Sequence, residues 1–135
     1  MKKILVLDNY DSFTYNLVQY ITNITLKEVA VYRNDAIDLA AVAQYDKILL
    51  SPGPGLPQDA GILMPLIEQY AATKSILGVC LGQQAMAAVY GGKLLNLQNV
   101  YHGVASPITL TTSGKKDTLF EGVPAIFNGG RYHSW

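Results

Sequence analysis

Cys80 is the single cysteine of the chain and stands in Gly78-Val79-Cys80-Leu81-Gly82, where a short apolar run gives way to a helical pattern. A nucleophile on a sharp strand-to-helix turn sits in strained backbone and is pushed into the open, and small residues on either side let neighbouring backbone pass close by. The helix start then favours a thiolate through the positive end of its dipole. The Leu81 N–H points to where an oxyanion would form. The same residue types also fit an inert core cysteine, because cysteine is among the most buried of side chains.

Two further segments carry unusual chemistry. Ser51-Pro52-Gly53-Pro54-Gly55 combines residues that fix φ with residues that permit positive φ, so the loop has a defined shape. Its backbone N–H groups could cradle an oxyanion or a carboxylate, or it could be an ordinary tight turn. No Gly-Lys-Ser/Thr follows, so it is not a P-loop; the glycine spacing fails and Pro57 is expected to block a helix start, so it is not a dinucleotide fingerprint. Asp8-Asn9-Tyr10-Asp11-Ser12-Phe13-Thr14 is a polar and aromatic cluster. Asp11 reads as a helix N-cap, and the cluster could also line a subunit interface or a channel mouth. Gln84 is one helical turn beyond Cys80 and can lean toward the same site. His102 and His133 could each act as a base for the thiol, or be ordinary surface polar residues.

These residues need a scaffold, and the pattern supplies one. Apolar runs at 3–7, 28–32, 47–50 and 76–79 read as strands, and they alternate with helical segments at 12–22, 36–43, 62–72 and 82–90. On the first helix Phe13, Leu17, Tyr20, Ile21 and Ile24 share a face. Pro65 is tolerable near the first turn of the third, and Gly91-Gly92 ends the fourth. After this the chain reads as strands at 93–97, 104–110 and 125–128, an antiparallel extension. The alternation predicts an α/β fold with a doubly wound, mostly parallel sheet and helices on both faces. Ligands in such sheets bind beyond the carboxyl ends of the strands, and the three segments above all leave strand ends there.

The chain has 135 residues and shows no repeat or linker, so residues 1–135 read as one domain. Ten basic and ten acidic residues balance to zero net charge, which argues against nucleic acid or a membrane surface as partner. Half the residues are apolar and 15% are charged, which suggests a well-packed interior and a face covered by a partner. One thiol and two histidines exclude a disulfide and a structural zinc site. No targeting segment or membrane span is visible, and the expected location is the cytoplasm.

The segments Asp8-Asn9-Tyr10-Asp11-Ser12-Phe13-Thr14-Tyr15-Asn16-Leu17, Ser51 to Gly55, Gly78-Val79-Cys80-Leu81-Gly82-Gln83-Gln84, His102-Gly103 and Arg131-Tyr132-His133-Ser134 occur in that order. Together they resemble the class I (triad-type) glutamine amidotransferases, which are flavodoxin-like, and among them the small subunits of anthranilate and aminodeoxychorismate synthases. The resemblance covers the whole chain. It implies that Cys80 attacks the glutamine amide to give a thioester and ammonia, with no cofactor and no metal. It implies that Gly55 and Leu81 supply the oxyanion hole, and that Gly53, Pro54, Gly55, Gln84, Ser134 and Trp135 lie at the bound glutamine. It implies that Asp8, Tyr10, Asp11, Ser12, Phe13 and His102 face a large chorismate-binding subunit that receives the ammonia.

The family completes its triad with a His and a Glu in a His-Pro-Glu segment downstream of Arg-Tyr-His-Ser, beyond Trp135. The sequence therefore looks C-terminally truncated, and weak or no activity is expected of the isolated chain. Neither His102 nor His133 matches the triad His. Trp135 stands where Leu is common in the family, and Val104 where Lys is frequent. A module that keeps the fold and partner surface without catalysis is the alternative, and a flavodoxin-like small-ligand binder is a third.

Overall fold

Leu5, Val6 and Leu7 are all fully buried, so strand β1 (Ile4–Asp8) is apolar on both faces, as an inner strand of a covered sheet must be. The computed structural model describes residues 2–135. In it β1 pairs in parallel with β2 (Ala30–Arg33) on one side and β3 (Lys47–Leu50) on the other, and β3 pairs in parallel with β4 (Ser75–Gly78). The order is β2-β1-β3-β4. The chain steps one way from β1 to β2 and then back past β1 to β3. Right-handed crossovers therefore put the intervening segments on opposite faces, which makes the sheet doubly wound.

Helix α1 (Thr14–Thr25) makes the first crossover. The other face carries α2 (Leu63–Tyr70) and α3 (Leu81–Val89). Leu5, Leu7, Ile48 and Leu50 point from the strands into Leu63, Leu66, Ile67, Tyr70, Leu81 and Ala85, forming one core. Each such aliphatic side chain contributes about 1.5–3 kcal/mol on burial. This core roots the carboxyl ends of β1, β3 and β4, from which the three candidate segments leave.

Several expected elements shift. The first helix starts at Thr14 rather than residue 12, and its N-cap position is Phe13, not Asp11. The Asp11 carboxylate instead accepts the Phe13 N–H at 2.8 Å, closing a turn before the helix. Its core face is set by Thr14, Leu17 and Ile21, while Phe13, Tyr20 and Ile24 are exposed. The expected helix at 36–43 is a 3₁₀ helix over Leu39–Gln44, since Asp38 is extended at φ −71°, ψ 142°. Residues 93–97 form no strand; the Leu97 N–H donates to the Ser134 carbonyl at 2.8 Å, but that contact does not extend into a ladder.

The described backbone divides into two compact units, one ending at Lys93 and one over Leu94–Trp135. In the second, β5 (Tyr101–Thr109) and β6 (Ile126–His133) pair antiparallel, with a bulge between His102 and Val104 where Gly103 has φ 70°. They form their own two-stranded sheet rather than an extension of the parallel one. The Arg131 guanidinium lies 3.9 Å from the Tyr101 ring centroid, and His102 meets Tyr132 edge-on at 5.1 Å.

Candidate active site

Cys80 follows β4 by two residues and caps α3 with φ 53° and ψ −109°, a conformation that L side chains rarely adopt. The helix begins at once: Gln84 N–H donates to the Cys80 carbonyl at 2.9 Å and Gly82 N–H to that of Val79 at 3.0 Å. The flanking glycines are there for clearance. A Cβ on Gly82 would stand 2.5 Å from the Leu50 carbonyl oxygen, and one on Gly78 would stand 2.5 Å from the Gly82 carbonyl carbon. Strand and helix thus close on each other beneath the cysteine, which is the geometry the spacing predicted for a presented nucleophile.

The thiol is half-buried. Burial pushes it above its ordinary value and the nearby Asp11 charge pushes the same way, while the Leu81 backbone N–H pulls against both. The helix start alone therefore does not make this cysteine acidic.

The Ser51 to Gly55 loop reaches the elbow through Gly53. A Cβ there would lie 2.5 Å from the Asn9 carbonyl oxygen and 2.8 Å from Leu81 Cδ2, so the β1 loop and the elbow press on Gly53 together. Pro54 and Gly55 are exposed, and Gly55 has φ 71°. Cys80, Leu81, Gly53, Pro54, Gly55, Gln84 and the segment from Asp8 to Phe13 all belong to the first unit. His102, Ser134 and Trp135 belong to the second.

Sequence reasoning missed the groups that hold the loops in place. Asn9 N–H donates to Ser51 Oγ and its Nδ2 to the Ser51 carbonyl, both at 2.8 Å, and Asn34 Nδ2 donates to Asn9 Oδ1 at 3.0 Å. All three residues are buried, so the loops after β1, β2 and β3 are tied by one satisfied polar network. Asp8 is a second anchor: its Oδ1 accepts the N–H groups of Tyr10 and Asp11 and the Thr14 hydroxyl. Two carboxamides and a serine at the ends of three successive strands were the available signal.

Tyr10 has φ 64° and donates its hydroxyl to both oxygens of Asp35, at 2.7 and 2.6 Å. That hydrogen bond holds the phenol above its ordinary value. Arg33 lies 4.8 Å from the ring centroid. Tyr10, Asp35 and Asp59 help line a cavity of about 410 Å³, which Cys80 does not line.

The glutamine amidotransferase class-I family model matches residues 5–135. The chain belongs to that family. It is 48% identical over 132 residues to anthranilate synthase component 2 of Lactococcus lactis subsp. lactis, covering 97% of this chain and 64% of the relative. It is 47% identical over 133 residues to aminodeoxychorismate synthase component 2 of Escherichia coli K12, covering 97% of this chain and 68% of the relative. A relative in Bacillus subtilis, 43% identical with 97% of this chain and 66% of the relative covered, is named aminodeoxychorismate/anthranilate synthase component 2. The chain thus spans about two thirds of the length of these amidotransferase relatives.

Among solved structures, a Thermoplasma acidophilum protein provisionally assigned to GMP synthase superposes with a TM-score of 0.78 at 23% identity, covering 99% of this chain and 65% of that one. That likeness concerns the fold. The family resemblance and the doubly wound parallel sheet expected from the motifs are both borne out. No helix among the described residues is long and apolar enough to cross a membrane.

Proposed function

We propose that residues 1–135 form a glutamine amidotransferase domain that releases ammonia from glutamine for a chorismate-aminating synthase. The observation that carries this is Cys80 at φ 53° on the β4–α3 turn, directly ahead of the Leu81 N–H. Cys80 Sγ attacks the side-chain carbonyl carbon of glutamine, and the carbonyl electron pair moves onto oxygen. The oxyanion is held by the N–H groups of Leu81 and Gly55. Collapse breaks the C–N bond; the nitrogen takes up the proton that the thiol gave up and leaves as ammonia, and a γ-glutamyl thioester remains. Water then attacks the thioester, giving glutamate and restoring the thiol.

In this reading Gly53, Pro54 and Gln84 serve the glutamine site from the first unit. Asp8, Tyr10, Asp11, Ser12, Phe13 and His102 face the large chorismate-binding subunit, which takes the ammonia, and the complex works in the cytoplasm. The names of the relatives, components of anthranilate and aminodeoxychorismate synthases, support this choice of partner and product class.

Intact-mass spectrometry after treatment with a glutamine-mimicking electrophile tests the proposal. One adduct on Cys80, absent from Cys80→Ser and suppressed by glutamine, is the expected result. An adduct that glutamine does not suppress would remove the glutamine site from the proposal. The alternative is a partner-binding module that keeps the fold without catalysis. That reading requires no adduct at all, together with retained binding to the large synthase chain.

A further inference from the structure

The cavity beside Tyr10 takes no part in the chemistry assigned to Cys80, and every residue that lines it belongs to the first unit. Its walls carry two carboxylates, Asp35 and Asp59, and no Lys, Arg or His. Tyr10, Pro54 and Ala60 supply apolar wall. Arg33 sits over the Tyr10 ring, 4.8 Å from its centroid, and does not line the cavity.

Acidic side chains on a surface do not by themselves make a site, but a buried oxygen points the same way. Asn34 also lines the cavity and is only 5% exposed. Its Nδ2 donates to Asn9 Oδ1 at 3.0 Å, and among the described residues no donor reaches its own Oδ1. A carboxamide oxygen shut away without a donor is costly. Among the described residues no side-chain oxygen is both unpartnered and sealed from solvent, so Asn34 Oδ1 keeps an opening. Gly61 provides it. A Cβ there would stand 2.9 Å from Asn34 Oδ1 and cover it, and Gly61 is itself part of the cavity wall. The φ of 53° at Gly61 disfavours any other residue at that point.

The Asp35 side is fixed as well. The Tyr10 N–H donates to Asp8 Oδ1 at 2.9 Å, and its hydroxyl donates to both Asp35 oxygens. The remaining lone pairs of that carboxylate, and those of the phenol, stay available as acceptors. The walls thus offer acceptors, negative charge and apolar surface, and no charged donor.

We propose that this cavity is a binding site for an aliphatic primary ammonium group. An ammonium carries three N–H donors and no acceptor, which suits two carboxylates and a carboxamide oxygen. Its alkyl stem would lie on Tyr10, Pro54 and Ala60. A volume of about 410 Å³ has room for such a stem. A free diamine and a lysine side chain both carry this group, and the test separates them. The proposal goes beyond the amidotransferase reading and does not depend on it.

The test is amide NMR of the 135-residue chain at neutral pH and physiological salt, titrated with putrescine, n-butylamine and tetramethylammonium. Putrescine and n-butylamine should give saturable shifts at the amides of Asn34, Asp35 and Gly61. Asp35→Asn and Asp59→Asn should each weaken binding about twofold to fivefold, the range for a partly exposed ion pair. Asp38→Asn, which removes an exposed charge outside the cavity, should leave it unchanged. Asp59→Asn does not touch the Tyr10 hydrogen bonds and serves alone if Asp35→Asn does not fold. Tighter binding of putrescine than of n-butylamine supports a free diamine read by both carboxylates. Equal affinity supports a single ammonium of the lysine kind.

Tetramethylammonium has the charge but no N–H to donate. If it shifts the same amides as strongly, the cavity only gathers counterions and the proposal falls. It falls too if no shift saturates, or if binding is unchanged in Asp59→Asn. None of these outcomes bears on glutamine-protected labelling of Cys80, so failure here and failure of the amidotransferase reading are told apart.

Discussion

Burying Cys80 ties the stability of the fold to pH. The folded thiol titrates above its ordinary value, first through burial and then through Asp11, so the unfolded chain loses this proton first as pH rises. The native state then binds more protons than the unfolded one, and stability falls as pH climbs beyond about 8.5–9. Below that range the contribution is fully present. Urea midpoints of wild type and Cys80→Ser, compared at pH 7 and pH 10, should show a larger alkaline loss for wild type. A second prediction concerns Gly53. Its missing side chain lets Asn9 and Leu81 close on it, so Gly53→Ala should cost about 1–3 kcal/mol by overpacking and slow electrophile labelling of Cys80. The strand-to-helix elbow at Cys80 and the Ser51 to Gly55 loop were legible because Gly and Pro constrain backbone shape wherever they stand. The thiol's burial was not, because it arises only when elements from separate parts of the chain pack together.

Among the elements, the loops after β1, β2 and β3 are tied to one another by side-chain hydrogen bonds. Asn9 bonds Ser51 twice and accepts from Asn34, so removing its carboxamide leaves buried partners unsatisfied. Asn9→Ala should cost about 2–4 kcal/mol, read as a lower urea midpoint, and should slacken both loops enough to slow Cys80 labelling. Ser51→Ala removes the acceptor of a single bond from Asn9 and should cost less. The parallel strands were visible in the sequence as short apolar runs. The registration of α1 was not: Phe13, Tyr20 and Ile24 form as good an apolar stripe as the true core face, and only packing against β1 decides between them. The 3₁₀ segment at Leu39–Gln44 was likewise hidden, because its residues are good helix formers and the short crossover overrides their preference.

At the scale of the whole molecule the two units have different means of support. The first has a covered parallel sheet and one continuous core. The second is built on a two-stranded ribbon, a form marginal by itself in water. Amides of β5 and β6 should therefore exchange faster in hydrogen-exchange mass spectrometry than those of β1 and β3. The ribbon was found only in part: the run at 104–110 lies mostly within β5, but the run at 125–128 covers only the start of β6, which continues through Gly129 and Gly130 to His133 where the apolar pattern stops. The false strand at 93–97 looked alike but has no partner ladder, and pairing is a long-range fact that a local pattern does not contain. Two of the positive-φ side chains, Leu26 and Cys80, have opposite prospects under selection. Leu26 ends α1 with φ 54° and is 88% exposed, so Gly or Asn there should gain about 1 kcal/mol. Gly at position 80 should likewise relieve strain, on the order of 1 kcal/mol, while removing the thiol. A saturation library sorted for resistance to protease should enrich glycine at both positions; one sorted for labelling by a thiol-directed electrophile should keep it at 26 and purge it at 80.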